Sequence, residues 1–197
     1  MHKALCALMI PLLLLTACGK QSEEQEAESL ALQIRTELIA MTACTLTADT
    51  TADYGRRVYD FTLNVSYDST AGSTITVVKP ENVAGVTVKI AAGSTTLEYD
   101  GVSLETGRLV SNGLSPLDAL PSFLLYAREG FMDACCYETR DGQNLLSVRY
   151  RDPETEPGQG IEGGLWFDVA TREPVCAELY DKEKLVISCK FSVFEKE

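Results

Sequence analysis

Period-2 alternation governs most of this chain and sets its fold class. In "RVYDFTLNVSYD", Tyr59, Phe61, Leu63, Val65 and Tyr67 fall on one side of an extended backbone, and Asp60, Thr62, Asn64 and Ser66 on the other. "STITVVKP" repeats the pattern with Ile75 and Val77, "VTVKI" with Val86, Val88 and Ile90, and "TTLEYDG" with Leu97 and Tyr99. Turn chemistry separates these runs at Ala71-Gly72, Pro80 through Gly85, Ala92-Gly93 and Asp100-Gly101. Short strands with one apolar face predict an antiparallel meander, and that face requires a cover.

Two segments have helical spacing and can supply it. "AESLALQIRTELIAM" places Ala27, Leu30, Ala31, Ile34, Leu38 and Met41 on one stripe, which predicts an amphipathic helix over 26–42. "SPLDALPSFLLYAREGF" interrupts the strands: Ser115 is a candidate cap before Pro116, and Pro121 is expected to split the segment into two short helical pieces. Strands then resume in "DACCYETR", "NLLSVRYRD", "GLWFDVA", "PVCAELYD" and "KLVISCKFSVFE", with "PETEPGQGIEGG" as an acidic loop. The expected architecture is mainly β with helices (α+β). It is a single curved antiparallel sheet holding an N-terminal and an inserted helix on its apolar, concave face.

The first residues have another purpose. Lys3, an apolar run from Ala4 to Leu15, and small residues Thr16 and Ala17 before Cys18 form the layout of a secretory signal. "LTAC" resembles the lipobox of bacterial lipoproteins, which implies cleavage before Cys18 and a diacylglycerol on its sulfur. The expected organisation is a signal peptide at 1–17, an anchored cysteine with a flexible acidic tether at 18–26, and one domain at 27–197. The protein is then extracytoplasmic and held at a membrane through Cys18.

Composition removes whole classes of function. Without the leader, 16 basic residues face 29 acidic ones, a net charge of −13. General electrostatics then disfavours nucleic acid as a partner. The one histidine, His2, lies in the leader, so the remainder has no Ser-His-Asp or Cys-His constellation and no histidine metal ligand. The expectation is a protein without catalysis of its own, without a cofactor and without a metal.

Among the remaining side chains, five cysteines follow Cys18: Cys44, Cys135, Cys136, Cys176 and Cys189. A hairpin turning about Lys182 and Glu183 would set Cys176 against Cys189, as a disulfide or as two free thiols packed like small apolar groups. Cys135 and Cys136 are vicinal and read as structural thiols on opposite faces of a strand. Asp152, Glu154, Glu156 and Glu162 lack calcium-loop spacing and read as a solvated acidic loop. "GQGIEGG" lacks the setting and lysine of a phosphate loop and reads as a flexible connection. In "GLWFDV", Leu165, Phe167 and Val169 share one face and Trp166 takes the other, where it is a candidate anchor for a protein partner unless covered.

The element order, "TVVKPENVAGV" between early strands, the "SPLDALPSFLL" insert and "GLWFDVATREPVCAELYD" near the end together resemble the LolA/LolB family over nearly all of residues 27–194. That family folds as an open β half-barrel with helices in its concave side. The resemblance implies an apolar ligand there, an acyl chain or lipoprotein, with Tyr59, Phe61, Leu63, Val65, Val77, Val88, Leu97, Phe167 and Leu179 as lining. The alternative is that these residues pack against the helices and leave no cavity. An early-strand arginine ties down the helical lid in LolA, and Arg56 and Arg57 lie in that neighbourhood. Lipid-anchored relatives of the GerS type imply a second role, the binding and activation of a cell-wall amidase as a cell-envelope protein partner.

Overall fold

A computed structural model of the chain describes residues 15–91, 94–107 and 114–196, with side chains from residue 22 onward. Of the signal peptide expected at 1–17, residues 1–14 lie outside the described residues, and Cys18 is described in its backbone alone. Helix α1 spans Leu15–Ala40. Six strands follow: β1 (Ala43–Asp53), β2 (Val58–Asp68), β3 (Gly72–Lys79), β4 (Thr87–Ala91), β5 (Ser94–Tyr99) and β6 (Val102–Glu105). Helix α2 (Pro116–Glu129) separates them from β7 (Phe131–Arg140), β8 (Gln143–Arg151), β9 (Ile161–Asp168), β10 (Pro174–Asp181) and β11 (Lys184–Lys196).

All eleven strands form one sheet in the order β6-β5-β4-β3-β2-β1-β11-β10-β9-β8-β7. Every neighbouring pair is antiparallel, β1 pairs with β11 at the centre, and among the described residues β6 and β7 are open edges. The sheet is single, antiparallel and open, as the alternation and element order predict, and it has the half-barrel form that the family resemblance implies. Its inner face carries the core. Register aligns Leu63 with Val77, Ile75 with Val88, and Val88 with Leu97 on one wing. On the other wing Phe167 lies beside Leu146, Leu165 beside Val148, and Leu179 beside Ile187. Ala27, Ala31, Ile34 and Leu38 of α1 and Ala119, Leu120, Phe123 and Ala127 of α2 close on these rows in one apolar cluster.

Three local features depart from the sequence reading. The acidic segment before Ala27 continues α1 rather than forming a flexible tether; Ser22 to Glu26 are helical and exposed. Glu, Gln and Ala are good helix formers, so the amphipathic stretch propagates toward its N-terminus at little cost. Pro121 does not split α2, which runs unbroken over 14 residues. Ser115 Oγ accepts from Leu117 N at 3.2 Å and Pro116 occupies the first turn. Burial of Ala119, Leu120, Phe123 and Ala127 outweighs the hydrogen bond that Pro121 forgoes, a defect of about 3 kcal/mol. Gly163 and Gly164 lie inside β9, not in a flexible loop. A Cβ on Gly163 would stand 2.9 Å from the Tyr126 ring, and one on Gly164 would stand 2.7 Å from the Trp166 ring. The glycine pair admits one aromatic ring on each face of the sheet.

Candidate functional site: the concave face and its helical cover

The predicted lining residues divide into two groups. Leu63, Val65, Val77, Val88, Phe167 and Leu179 are at most 5% exposed. Phe61 and Leu97 are half-buried, and Tyr59 is 39% exposed. The first group is packed interior. The second is split between the start of β2, with Tyr59 and Phe61, and β5, with Leu97, so the structure does not assemble the nine residues into one site.

Arg35 of α1 clamps the helical cover, a role that sequence reasoning did not assign. Its Nε donates to Ala127 O at 3.1 Å, and its Nη2 donates to Gly130 O at 2.6 Å and Tyr126 O at 3.4 Å. These are carbonyls at the C-terminus of α2, where a cation also complements the helix dipole. The same guanidinium lies 5.8 Å from the Tyr150 ring centre, and Tyr150 stacks on Tyr126 at 6.2 Å. Burial pushes the Tyr150 hydroxyl well above its ordinary range. Arg128 of α2 adds a bond of 2.7 Å to Tyr67 Oη, and Tyr54 Oη donates to Leu114 O at 2.7 Å. Arg57 reaches only Tyr59 Oη at 3.5 Å, so the early-strand arginines do not tie α2 down through any described bond. A polar residue at position 35 beside the apolar stripe was the available signal, but its partners are about ninety positions away.

Trp166 corrects a second expectation. It takes the convex face, opposite Leu165 and Phe167, but is completely buried there. The Arg140 guanidinium lies 3.7 Å from its ring centre and Arg149 lies 5.5 Å away. Its indole N–H donates to Glu138, which also binds Arg140 at 2.6 Å. Arg140 further meets Glu178 at 3.0 Å, and Glu178 accepts from the Tyr180 hydroxyl. Burial opposes the Arg140 charge, but Glu178 and Glu138 more than offset it and raise its pKa. Two guanidiniums and two carboxylates therefore roof the indole, so Trp166 offers no exposed surface to a partner.

Cys44, Cys135, Cys136, Cys176 and Cys189 are all free thiols. A bulge between Leu179 and Tyr180 shifts the β10–β11 register by one residue, so Cys176 pairs with Lys190 and Cys189 with Ala177. The predicted facing pair is thereby sent to opposite faces. Cys189 is buried beside Thr50 Oγ1 at 3.3 Å, and burial pushes its thiol up to about 12. Burial raises Cys44 and Cys135 to about 11, while Cys136 is exposed. In the acidic loop, Asp152 accepts from Glu154 N and Glu162 from Gly158 N, so these carboxylates shape turns. Among the described residues no cluster of three or more acidic or thiol side chains is arranged to hold a metal ion, and no helix is long and apolar enough to cross a membrane.

No known family profile and no curated protein matches the sequence. Solved structures do resemble it. A conserved protein from Thermus thermophilus superposes with a TM-score of 0.51 at 12% identity, covering 85% of this chain and 87% of that one. The half-barrel is the shared fold. Similar structures also include a LolA superfamily protein from Nitrosomonas europaea, with a TM-score of 0.46 at 11% identity over 87% of this chain and 93% of that one. A further likeness is to a chain in the structure of the CwlD amidase from Clostridioides difficile in complex with the GerS lipoprotein, with a TM-score of 0.39 at 13% identity over 86% of this chain and 92% of that one.

Proposed function

We propose that the protein is a non-catalytic, lipid-anchored extracytoplasmic binding protein that works by engaging another envelope protein, with its concave face filled by its own helices. One observation carries this reading. Six predicted lining residues, from Leu63 to Leu179, already spend their side-chain surface on packing against α1, α2 and one another. An acyl chain needs a preformed apolar space to gain from burial, and residues at most 5% exposed offer none without displacing a helix. Anchoring through Cys18 and the absence of histidine after the leader fit a tethered module that recruits rather than converts. The carrier reading that the family resemblance implies competes directly with this one.

Native mass spectrometry of the mature chain, purified without detergent and then incubated with phospholipid or lipoprotein, separates them. A bare protein mass under both conditions is expected. A lipid mass that leaves on denaturation would overturn the adaptor reading and restore the carrier.

A further inference from the structure

The inner face of the sheet stays apolar beyond the reach of its helices. Main packing of α1 and α2 falls on β1, β2 and β7–β9. Two inner-face rows run outward across the opposite wing. One passes from Val65 through Ile75, Val88 and Leu97 to Leu104; the other ends in Tyr99 and Val102. Burial falls steadily along them: Ile75 and Val88 are fully enclosed, Leu97 is half-buried, and Tyr99, Val102 and Leu104 are 46%, 68% and 60% exposed. In β6 the alternation is complete, with Val102 and Leu104 facing inward and Ser103 and Glu105 outward. A solvent-exposed strand gains nothing in stability from that pattern, so the apolar side is built to be covered by something.

Among the described residues β6 is also an open edge. Thr106 N donates to Thr95 O at 2.9 Å, which sets the phase of the β5–β6 ladder. Alternation along an antiparallel pair then turns the backbone groups of Ser103 and Glu105 away from β5, and among the described residues no strand meets them there. The polar flank is acidic: Glu105 borders the edge and Asp100 occupies the turn before it, while Glu98 is matched by Lys89 at 2.7 Å. A second copy of this chain would bring Glu105 against like charge on a surface of net charge −13. An acyl chain would leave those backbone groups unused.

We propose that β6 is the docking edge for an extended segment of a partner protein, one that alternates apolar with basic residues and adds to the sheet as a further strand. Its apolar side chains would lie over Val102 and Leu104 and its cations beside Glu105, with backbone bonds to Ser103 and Glu105. This proposal rests on the adaptor reading and says where that adaptor binds.

The test uses the mature chain, isotope-labelled for amide NMR, and a capped peptide alternating lysine with valine. Control peptides carry glutamate in place of lysine, or the same residues sorted into a lysine block and a valine block. Shift changes are expected to concentrate on Thr95–Glu105. Leu104→Lys should weaken binding by about tenfold or more, the cost of losing one well-buried apolar contact. Ser103→Pro removes an edge amide and should weaken it comparably while leaving the rest of the spectrum in place. Dispersed shifts, equal binding of the acidic or block peptide, or binding unchanged in Leu104→Lys would overturn the proposal, as would no binding at all. Lipid in the native mass spectrum would instead sink the adaptor reading, so the two failures have separate signatures.

Discussion

The two wings of the sheet solve the problem of a one-faced strand in opposite ways. In β8 and β9 the residues Leu145–Val148 and Gly163–Phe167 are buried without interruption, on both faces. The helices fill the inner side, and the Trp166 network fills the outer. In β6 all four residues are exposed. Strand identity alone does not explain this, because "GLWFDV" and "GVSLETG" both alternate or nearly so. The difference lies in distant partners: the first wing receives Tyr126, Arg35, Arg140 and Arg149, and the second receives none of them. Burial on both faces belongs to β8 and β9, whereas on the other wing burial of one face fades from Ile75 and Val88 to the exposed rim at β6.

The strongest way to break that comparison is to hollow out the covered wing. Phe167→Ala is expected to destabilise by about 3–5 kcal/mol in urea unfolding, and Trp166→Ala by a similar amount, because each leaves a large cavity. Equal costs would establish that the convex face is a second core. A Trp166 cost below about 1 kcal/mol would mean that the charged roof collapses onto the vacancy and that only the concave side is core. Arg35→Ala comes next, at about 1.5–3 kcal/mol for bonds from a charged donor, with faster amide exchange in α2 than in β2. Arg140→Ala is expected to cost about 1–2 kcal/mol. Trp166 is the single tryptophan, so its emission should also shift to the red and become quenchable by iodide in that variant.

Much of the architecture was legible in the sequence because period-2 alternation is a local signal. Tyr59 to Tyr67 state their own geometry, and so do Ala27, Ala31, Ile34 and Leu38. What was misread was not carried by alternation: partners far along the chain, a single bulge, or a helix that propagates through good formers. Trp166 looks like an outward aromatic until Arg140 and Glu138, from a strand not adjacent to its own, arrive above it. Cys176 and Cys189 fit a simple hairpin until one bulge moves the register. Pro121 breaks an isolated helix but not one held by Phe123 against a sheet. The lining was half-legible: the residues facing inward were identifiable, but whether helices fill the space is a matter of volume, which alternation does not encode. A thiol titration checks the bulge directly. Cys136 should react first in the native protein, while Cys44 and Cys189, with thiols pushed up to about 11 and 12, should wait for unfolding.

Acid should loosen the connections at the end of the sheet before it reaches the core. Glu37 is held below the usual carboxylate range by Arg172 at 2.5 Å and Lys196 at 3.1 Å, joining α1 to the β9–β10 turn and to β11. Asp168 is lowered by the Thr171 and Ala170 amides, and Asp68 by the Thr70 hydroxyl and the Ala71 and Thr70 amides. A carboxyl depressed in the folded state contributes stability above its unfolded value and loses it as pH falls through the folded one. The melting temperature should therefore hold steady near neutrality and decline below about pH 4, with a smaller decline in Glu37→Gln. An unchanged profile in that variant would assign the acid sensitivity to the two turn aspartates.

The smallest expected effect gives the sharpest reading of the bare wing. Leu104→Lys replaces a side chain already 60% exposed, on an edge strand with one neighbour among the described residues. Its apolar surface is largely in water before and after the change, so the unfolding free energy should move by no more than about 0.5 kcal/mol. The same change at Phe167 removes a side chain that is 1% exposed and should unfold the protein, since a lysine there has neither water nor a partner. If Leu104→Lys instead costs about 2 kcal/mol or more, on the scale of a buried-core substitution, the β5–β6 rim is covered in solution by another part of this chain. A neutral Leu104→Lys that also loses the lysine–valine peptide would mean that this side chain is kept for binding and not for folding.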